Sequence, residues 1–279
     1  MWDLLSHGGA RFKMSFQAFA AEHGLIIRDL EIGKWVRVPT LDHPEKRNGS
    51  YIFDGDKGAV QNWAVHERPV SWFSDHREWV DTQEYQRKKE LANKEKERKQ
   101  KEAVRKAAGI LSSAVKSTHP YLVKKGFAET EGLVWKDLLV VPMRVGPYLV
   151  GCQLIDKDGT KKFLSGQRTK GAHCGFDNKG KDILVEGFAT ALSIRRALKA
   201  AKTRYKLWVC FSAPNIIEVA KGLQSGLVVA DNDLAGINAA KKTGFDYWVS
   251  DGEGEDFNDY ELRTGTQDAG LNLAKRLMD

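Results

Sequence analysis

Apolar residues in the last third of the chain gather in three short runs bounded by charge or glycine. These are Ile183-Leu184-Val185, Leu207-Trp208-Val209 and Leu227-Val228-Val229-Ala230. Runs this short predict strands buried on both faces. Between them the spacing turns helical: Ala191, Ile194, Leu198 and Ala201 share one face, and residues 213–224 predict a second helix. A helix after Asp233 and a strand over 246–250 complete the order. Strand alternating with helix in this way predicts an α/β, doubly wound unit of roughly one hundred residues.

The rest of the chain patterns differently. Residues 138–170 alternate strand-like runs around a turn at Lys157-Asp158-Gly159. Residues 35–65 alternate apolar and polar positions, with turns at Asn48-Gly49 and Asp54-Gly55, and predict a small β-meander. Its expected aromatic support is Trp35, Tyr51, Phe53 and Trp63, with a base-stacking role reserved for a Trp or Tyr exposed beside Arg37 or Arg47. Residues 83–110 are nearly bare of apolar side chains until Val104, while Glu90/Lys94 and Glu97/Lys101 have helix-supporting spacing. That predicts a solvated helix, docked at its end by Ala107, Ile110, Leu111 and Val115, with phosphate contact as a second use of its basic face. The pattern divides the chain into a β-rich domain (1–80), a charged helical linker (81–117), a basic α+β subdomain (118–180) and the α/β domain (181–279).

The candidate chemistry sits at the ends of the buried runs. Glu186 follows the first, and Asp231 and Asp233 follow the third. In an open parallel sheet, chemistry collects at the carboxyl ends of the strands. Three carboxylates brought to one edge repel unless a divalent cation lies among them, and an all-oxygen set suits Mg²⁺ or Mn²⁺. The plain alternative is that an acid after a strand caps the next helix. Upstream, Arg144, Lys161, Lys162, Arg168 and Lys170 form a cationic group whose expected partner is a nucleoside triphosphate and template backbone; solvated surface charge is the alternative.

These residues resemble a family. Glu186-Gly187 after one strand and Asp231-x-Asp233 after a later one is the pattern of the toprim domain, a Rossmann-like unit. The wording from Glu186 to Ile194, from Ala230 to Ala240 and from Gly254 to Tyr260 is similar to the toprim primases of phages and plasmids. The resemblance covers about 182–259. It implies acid/base or metal work for Glu186 and metal binding for Asp231 and Asp233. It extends metal binding to Asp256 and Asp259, in the loop after the last strand. Pro142, Arg144, Gly151 and Lys162-Phe163-Leu164-Ser165 resemble the segment before the toprim unit of bacterial replicative primases, but Cys152-Gln153-Leu154 replaces the family's second Gly-Gly-Arg. The N-terminal sheet keeps the skeleton of a primase zinc ribbon in Pro39, His43, Lys46 and Lys57-Gly58 without its cysteines. Cys152, Cys174 and Cys210 stand at no ligand spacing, so no zinc is expected.

With 279 residues and a net charge of +7, the chain can bury a core and favours an acidic partner. Unpaired cysteines suit a reducing cytoplasm. No apolar run reaches the ~20 residues of a membrane helix, so no membrane partner is expected. Met14 is a candidate alternative start. The expectation is a DNA primase acting on a single-stranded DNA template and ribonucleoside triphosphates. Lacking a Gly-x-x-x-x-Gly-Lys-Ser/Thr loop, it would work with a separate helicase. A toprim-type nuclease and a non-catalytic single-strand-binding module in recombination or helicase loading are the rivals. A topoisomerase would need a longer chain and a tyrosine module.

Overall fold

The computed structural model describes residues 11–12, 14–74 and 82–278. The chain forms two compact units, Met1–Glu97 and Arg98–Asp279. The two ends of the expected β-rich domain, residues 1–10 and 75–80, and the expected linker start at 81 lie outside the described residues. Among the described residues no helix is long and apolar enough to cross a membrane.

The first unit contains β1 (Arg11–Phe12), α1 (Phe16–Glu22), β2 (Val36–Val38), β3 (Gly49–Phe53), β4 (Lys57–Asn62), β5 (Val70–Ser74) and the start of α2 (Thr82–Ser113). β2 to β5 are the expected antiparallel meander, and β1 adds in parallel to β5. The turn at Asp54-Gly55 is present, closed by the Asp54 N–H bonding Lys57 O at 2.8 Å. Asn48-Gly49 is not a hairpin turn: Gly49 belongs to β3 and pairs with both Val38 and Asn62. Sequence patterning did not anticipate α1, whose Ser15 hydroxyl caps the Ala18 N–H and whose Phe16 and Phe19 enter the core. Tyr51 and Phe53 are buried there as expected, but Trp35 and Trp63 are exposed and Trp72 takes the interior position. The Trp72 indole N–H bonds to Met14 O at 3.1 Å, a partner a buried indole needs.

The second unit takes over α2 midway. Ala103, Ala107 and Ile110 bury one helical stripe against Val140, Cys152 and Leu164, with Leu111 beside them. Val115 does not dock the helix; it lies exposed on an edge strand. That sheet runs β6 (Val115–Ser117), β7 (Gly132–Trp135), β8 (Leu138–Val145), β9 (Tyr148–Ile155) and β10 (Lys161–Phe163), in spatial order β10-β9-β8-β7-β6, with α3 (Pro120–Lys124) between β6 and β7. The turn before β10 is as expected, with Gly159 at φ +95°. Gly151 in β9 has a packing reason: a Cβ there would lie 2.2 Å from Gln167 Oε1, which accepts from the Cys152 and Leu164 amides.

The remaining elements are β11 (Cys174–Asp177), β12 (Lys181–Val185), α4 (Phe188–Ala200), β13 (Tyr205–Val209), α5 (Ala213–Ala220), β14 (Leu227–Val229), α6 (Leu234–Thr243), β15 (Asp246–Trp248), α7 (Phe257–Thr264) and α8 (Thr266–Met278). Their sheet has the order β11-β13-β12-β14-β15; four strands are parallel and β11 closes one edge antiparallel to β13. The expected division at 180/181 therefore falls between two strands of one sheet. Strand residues alternate between two cores. Ile183, Val185, Leu207, Val209 and Val229 pack with α4 and α8, while Leu184 and Val228 pack with Ile216, Val219 and Ala240. This two-sided burial is why the runs read as continuously apolar. The architecture is α/β.

Candidate functional site

β12 and β14 are neighbours, with Val185 opposite Val229. From β12 the chain crosses to β13 on one side; from β13 it returns past β12 to β14 on the other. The strand order therefore reverses between β12 and β14, and the crevice at their carboxyl ends is where open α/β sheets bind ligands. Glu186 and Asp231 leave the sheet at that point.

Glu186 lies against the start of α5. Its carboxylate accepts from the Ala213 N–H, and its main-chain oxygen accepts from the Phe211 N–H at 2.8 Å. Burial raises its pKa, Asp233 pushes the same way, and Lys161 and the Ala213 amide pull back. Asp231 is the centre of the group. Burial, followed by the charges of Asp256, Glu186 and Asp233, pushes its pKa from 3.8 up to about 7. Its Oδ1 is buried with no hydrogen-bond partner. Gly236 allows α6 to start this close to β14, since a Cβ would lie 2.5 Å from Asp231 O.

Asp233 and Asp256 both cap helices. Asp233 Oδ1 accepts the Gly236 N–H at 2.6 Å, starting α6. Asp256 Oδ1 accepts from the Asn258 and Asp259 amides, and the Asp259 carboxylate bonds back to the Asp256 N–H, so α7 opens with a capping box. Asp256 thus ends the loop, as its sequence neighbours suggested, and serves as the N-cap, while Asp259 lies within the first turn of α7 and not in the loop. Lys125 stands 3.9 Å from Asp256 and 3.8 Å from Asp259. Asp231 feels the charges of Glu186, Asp233 and Asp256, and Glu186 that of Asp233, with Asp259 beside Lys125. Among the described residues, no three acid, imidazole or thiolate groups converge tightly enough to hold an ion as they stand. The fit to a divalent ion rests instead on the all-oxygen donor set and the orphaned Asp231 oxygen.

The expected cations separate. Lys161 acts directly on Glu186 and Asp231. Lys162 is exposed and pairs opposite Leu154, on the face of β10 turned to the α2 side. The Arg144 guanidinium donates to Pro147 O within its own hairpin at 2.9 Å, Arg168 donates to Lys170 O at 3.0 Å, and Lys170 pairs with Glu218 at 3.3 Å.

Three asparagines that sequence reasoning passed over hold the site together. Asn232, the middle residue of the Asp-Asn-Asp run, donates to Ser250 O and Gly252 O and so ties the loop before Asp256 to the end of β14. The fully buried Asn258 donates to Lys125 O and Ser193 Oγ, fixing α7 on α4. Asn215 in α5 accepts from the Gly171 N–H and donates to Ala172 O and Cys210 O. An amide flanked by acids at a strand end was the available signal for Asn232. Lys125 gave none.

A cavity of about 580 Å³ lies elsewhere, lined by Phe127, Leu192, Arg195, Arg196 and Lys199 toward the C-terminal end of α4. Glu186 and Asp231 do not line it; they stand at the carboxyl ends of β12 and β14. Compared with known proteins, the chain matches no protein-family model and no curated protein sequence.

Proposed function

We propose that this chain is a toprim-type DNA primase, joining ribonucleotides on a single-stranded DNA template by divalent-metal-dependent nucleotidyl transfer. The observation that carries the reading is the buried, unpartnered Asp231 oxygen beside Glu186, Asp233 and Asp256 at the switch point of the sheet. A carboxylate oxygen buried without a donor is costly unless a cation completes it. Asp231, Glu186 and the oxygens of Asp233 and Asp256 not engaged in capping would hold Mg²⁺ or Mn²⁺, which would offset phosphate charge and lower the pKa of a bound hydroxyl.

The chain's own residues supply the rest. Burial makes Glu186 a better proton acceptor than an exposed carboxylate. In the transfer, the primer 3′-hydroxyl oxygen bonds the α-phosphorus, the bond to pyrophosphate breaks, and the hydroxyl proton passes to Glu186. Lys161, already beside the acids, offers its ammonium group to phosphate oxygens. Lys125 restrains Asp256 and Asp259.

The test is incorporation of labelled ribonucleotides on a panel of single-stranded oligonucleotides in Mg²⁺. Template-dependent product from the wild type, lost in Asp231→Asn/Asp233→Asn with the fold intact, is the expected result. Cleavage of the template without synthesis would assign a nuclease, and binding without either would assign a non-catalytic module.

A further inference from the structure

Strand β10 is an edge strand, and its two faces look at different surroundings. Successive side chains in a strand point to opposite faces. Lys161 and Phe163 therefore share one face and Lys162 takes the other. Lys161 lies opposite Ile155, which belongs to the core shared with Ile183 and Val185. On that face Lys161 acts on Glu186 and Asp231. Two residues along, Phe163 is 43% exposed and meets the edge of Phe211, with ring centroids 6.3 Å apart and planes at 85°.

Phe211 is an unusual residue for its backbone. Its φ of +69° lies in the left-handed region, where a bulky side chain is strained by about 1–2 kcal/mol and glycine is not. The main chain there is held by the Phe211 N–H bond to Glu186 O and leads directly into Ser212 and the Ala213 amide that reaches the Glu186 carboxylate. Phe211 is only 9% exposed and belongs to the core, so its ring is a fixed backing, and Phe163 beside it is the ring left open to water. An aromatic face, an ammonium group and buried carboxylates in one opening are the chemistry that recognises a base and its phosphate.

We propose that Phe163, backed by the buried Phe211, is a seat on which one nucleobase stacks at the mouth of the carboxylate crevice, with Lys161, not Lys162, contacting the phosphate of that nucleotide. The seat rests on the nucleic-acid reading of the site and adds which residues hold the base. The base belongs either to the strand or to an incoming nucleoside triphosphate.

Binding by the full-length protein in Ca²⁺, read by fluorescence anisotropy, separates these. The probes are a labelled single-stranded oligonucleotide, its abasic counterpart of equal length, and a labelled ribonucleoside triphosphate. Stacking on an aromatic ring contributes about tenfold or more in affinity per base. Phe163→Ala should weaken the oligonucleotide or the triphosphate about tenfold while changing the abasic strand less than twofold, and Phe163→Trp should restore binding. Loss on the oligonucleotide assigns the seat to a strand base, and loss on the triphosphate to the incoming nucleotide. Lys161→Gln should flatten the salt dependence of binding by about 0.7 for one strand phosphate, and Lys162→Gln should not. Equal weakening of normal and abasic strands by Phe163→Ala, no weakening of any probe, or a slope that follows Lys162 would overturn the seat. Because the ratios compare variants in binding alone, a wild type that shows them but makes no product would refute the primase reading and leave the seat standing. A wild type that binds no probe would refute both.

Discussion

Replacing Asp231 with asparagine should make the protein more stable, and by an amount that depends on pH. Asp231 has its pKa pushed from 3.8 to about 7, first by burial and then by Asp256, Glu186 and Asp233. Below pH 3.8 the carboxyl is neutral in both folded and unfolded chains, so nothing is lost. As the pH rises past 3.8 the unfolded chain ionises while the folded one holds its proton. Stability therefore falls, and the loss is complete above about pH 7. The gap between the two values corresponds to about 4 kcal/mol as a ceiling. Residual solvation and relaxation of the crevice reduce the expectation to about 2 kcal/mol, or a rise of roughly 4–8 °C in melting temperature for a unit of this size. The assay is scanning calorimetry of wild type and Asp231→Asn without divalent ions at pH 5 and pH 8. The advantage of the variant should be clearly larger at pH 8. Adding Mg²⁺ at pH 8 should raise the wild type and leave the variant unmoved, narrowing the gap. An advantage equal at both pH values, or a variant less stable at pH 8, would refute the argument that Asp231 is a strained carboxylate awaiting a cation.

Three further outcomes are expected. Arg196→Ala should destabilise the second unit by about 3–5 kcal/mol in urea unfolding, because it removes two 2.7 Å bonds to the buried Glu261 carboxylate; a loss under about 1 kcal/mol would show the pair to be dispensable. Glu186→Gln should leave single-strand binding nearly unchanged and slow the chemical step by about 100-fold in single-turnover assays, whereas parallel loss of both would mark a structural acid. In the first unit, the Asn62 N–H donates to His66 Nδ1, leaving His66 Nε2 to donate to His23 Nδ1 at 3.1 Å, and burial and His66 lower the His23 pKa below 6.5. The unfolded imidazole takes a proton first as pH falls through 6.5, so that unit should lose stability below this value, and His23→Phe should remove the trend in denaturation followed from pH 7.5 to 5.

The doubly wound sheet was legible because parallel strands buried on both faces leave unbroken apolar runs, and Glu186 and Asp231 stand directly after them. Capping chemistry was less legible. Asp259 read as a loop acid along with Asp256 because α7 presents few apolar residues at its start, and its first turn is set by the capping box instead. The choice between Lys161 and Lys162 could not be made from sequence, since it depends on which face of β10 each occupies and a strand alternates at every residue. Trp63 and Trp72 are equally aromatic, and burial of one was fixed by α1, which carries only a short apolar pattern. Trp63 is 52% exposed with the Arg37 guanidinium 5.0 Å over its ring, which meets the condition set for a stacking surface in that unit.

The acids of the crevice do not all answer to the same demand. Asp233 and Asp256 each give one oxygen to a helix start, a service asparagine, serine or threonine can also perform, while Asp231 gives its buried oxygen to nothing in the chain. Descendants of this sequence released from the proposed nucleotidyl transfer should therefore drift unevenly. Position 231 would lose its charge early, because any small neutral residue relieves the fold. Positions 233 and 256 would keep capping residues long after the reaction had gone. A run reading Asn-Asn-Asp in place of Asp-Asn-Asp would then be the mark of a lineage that kept the architecture and gave up the proposed catalysis.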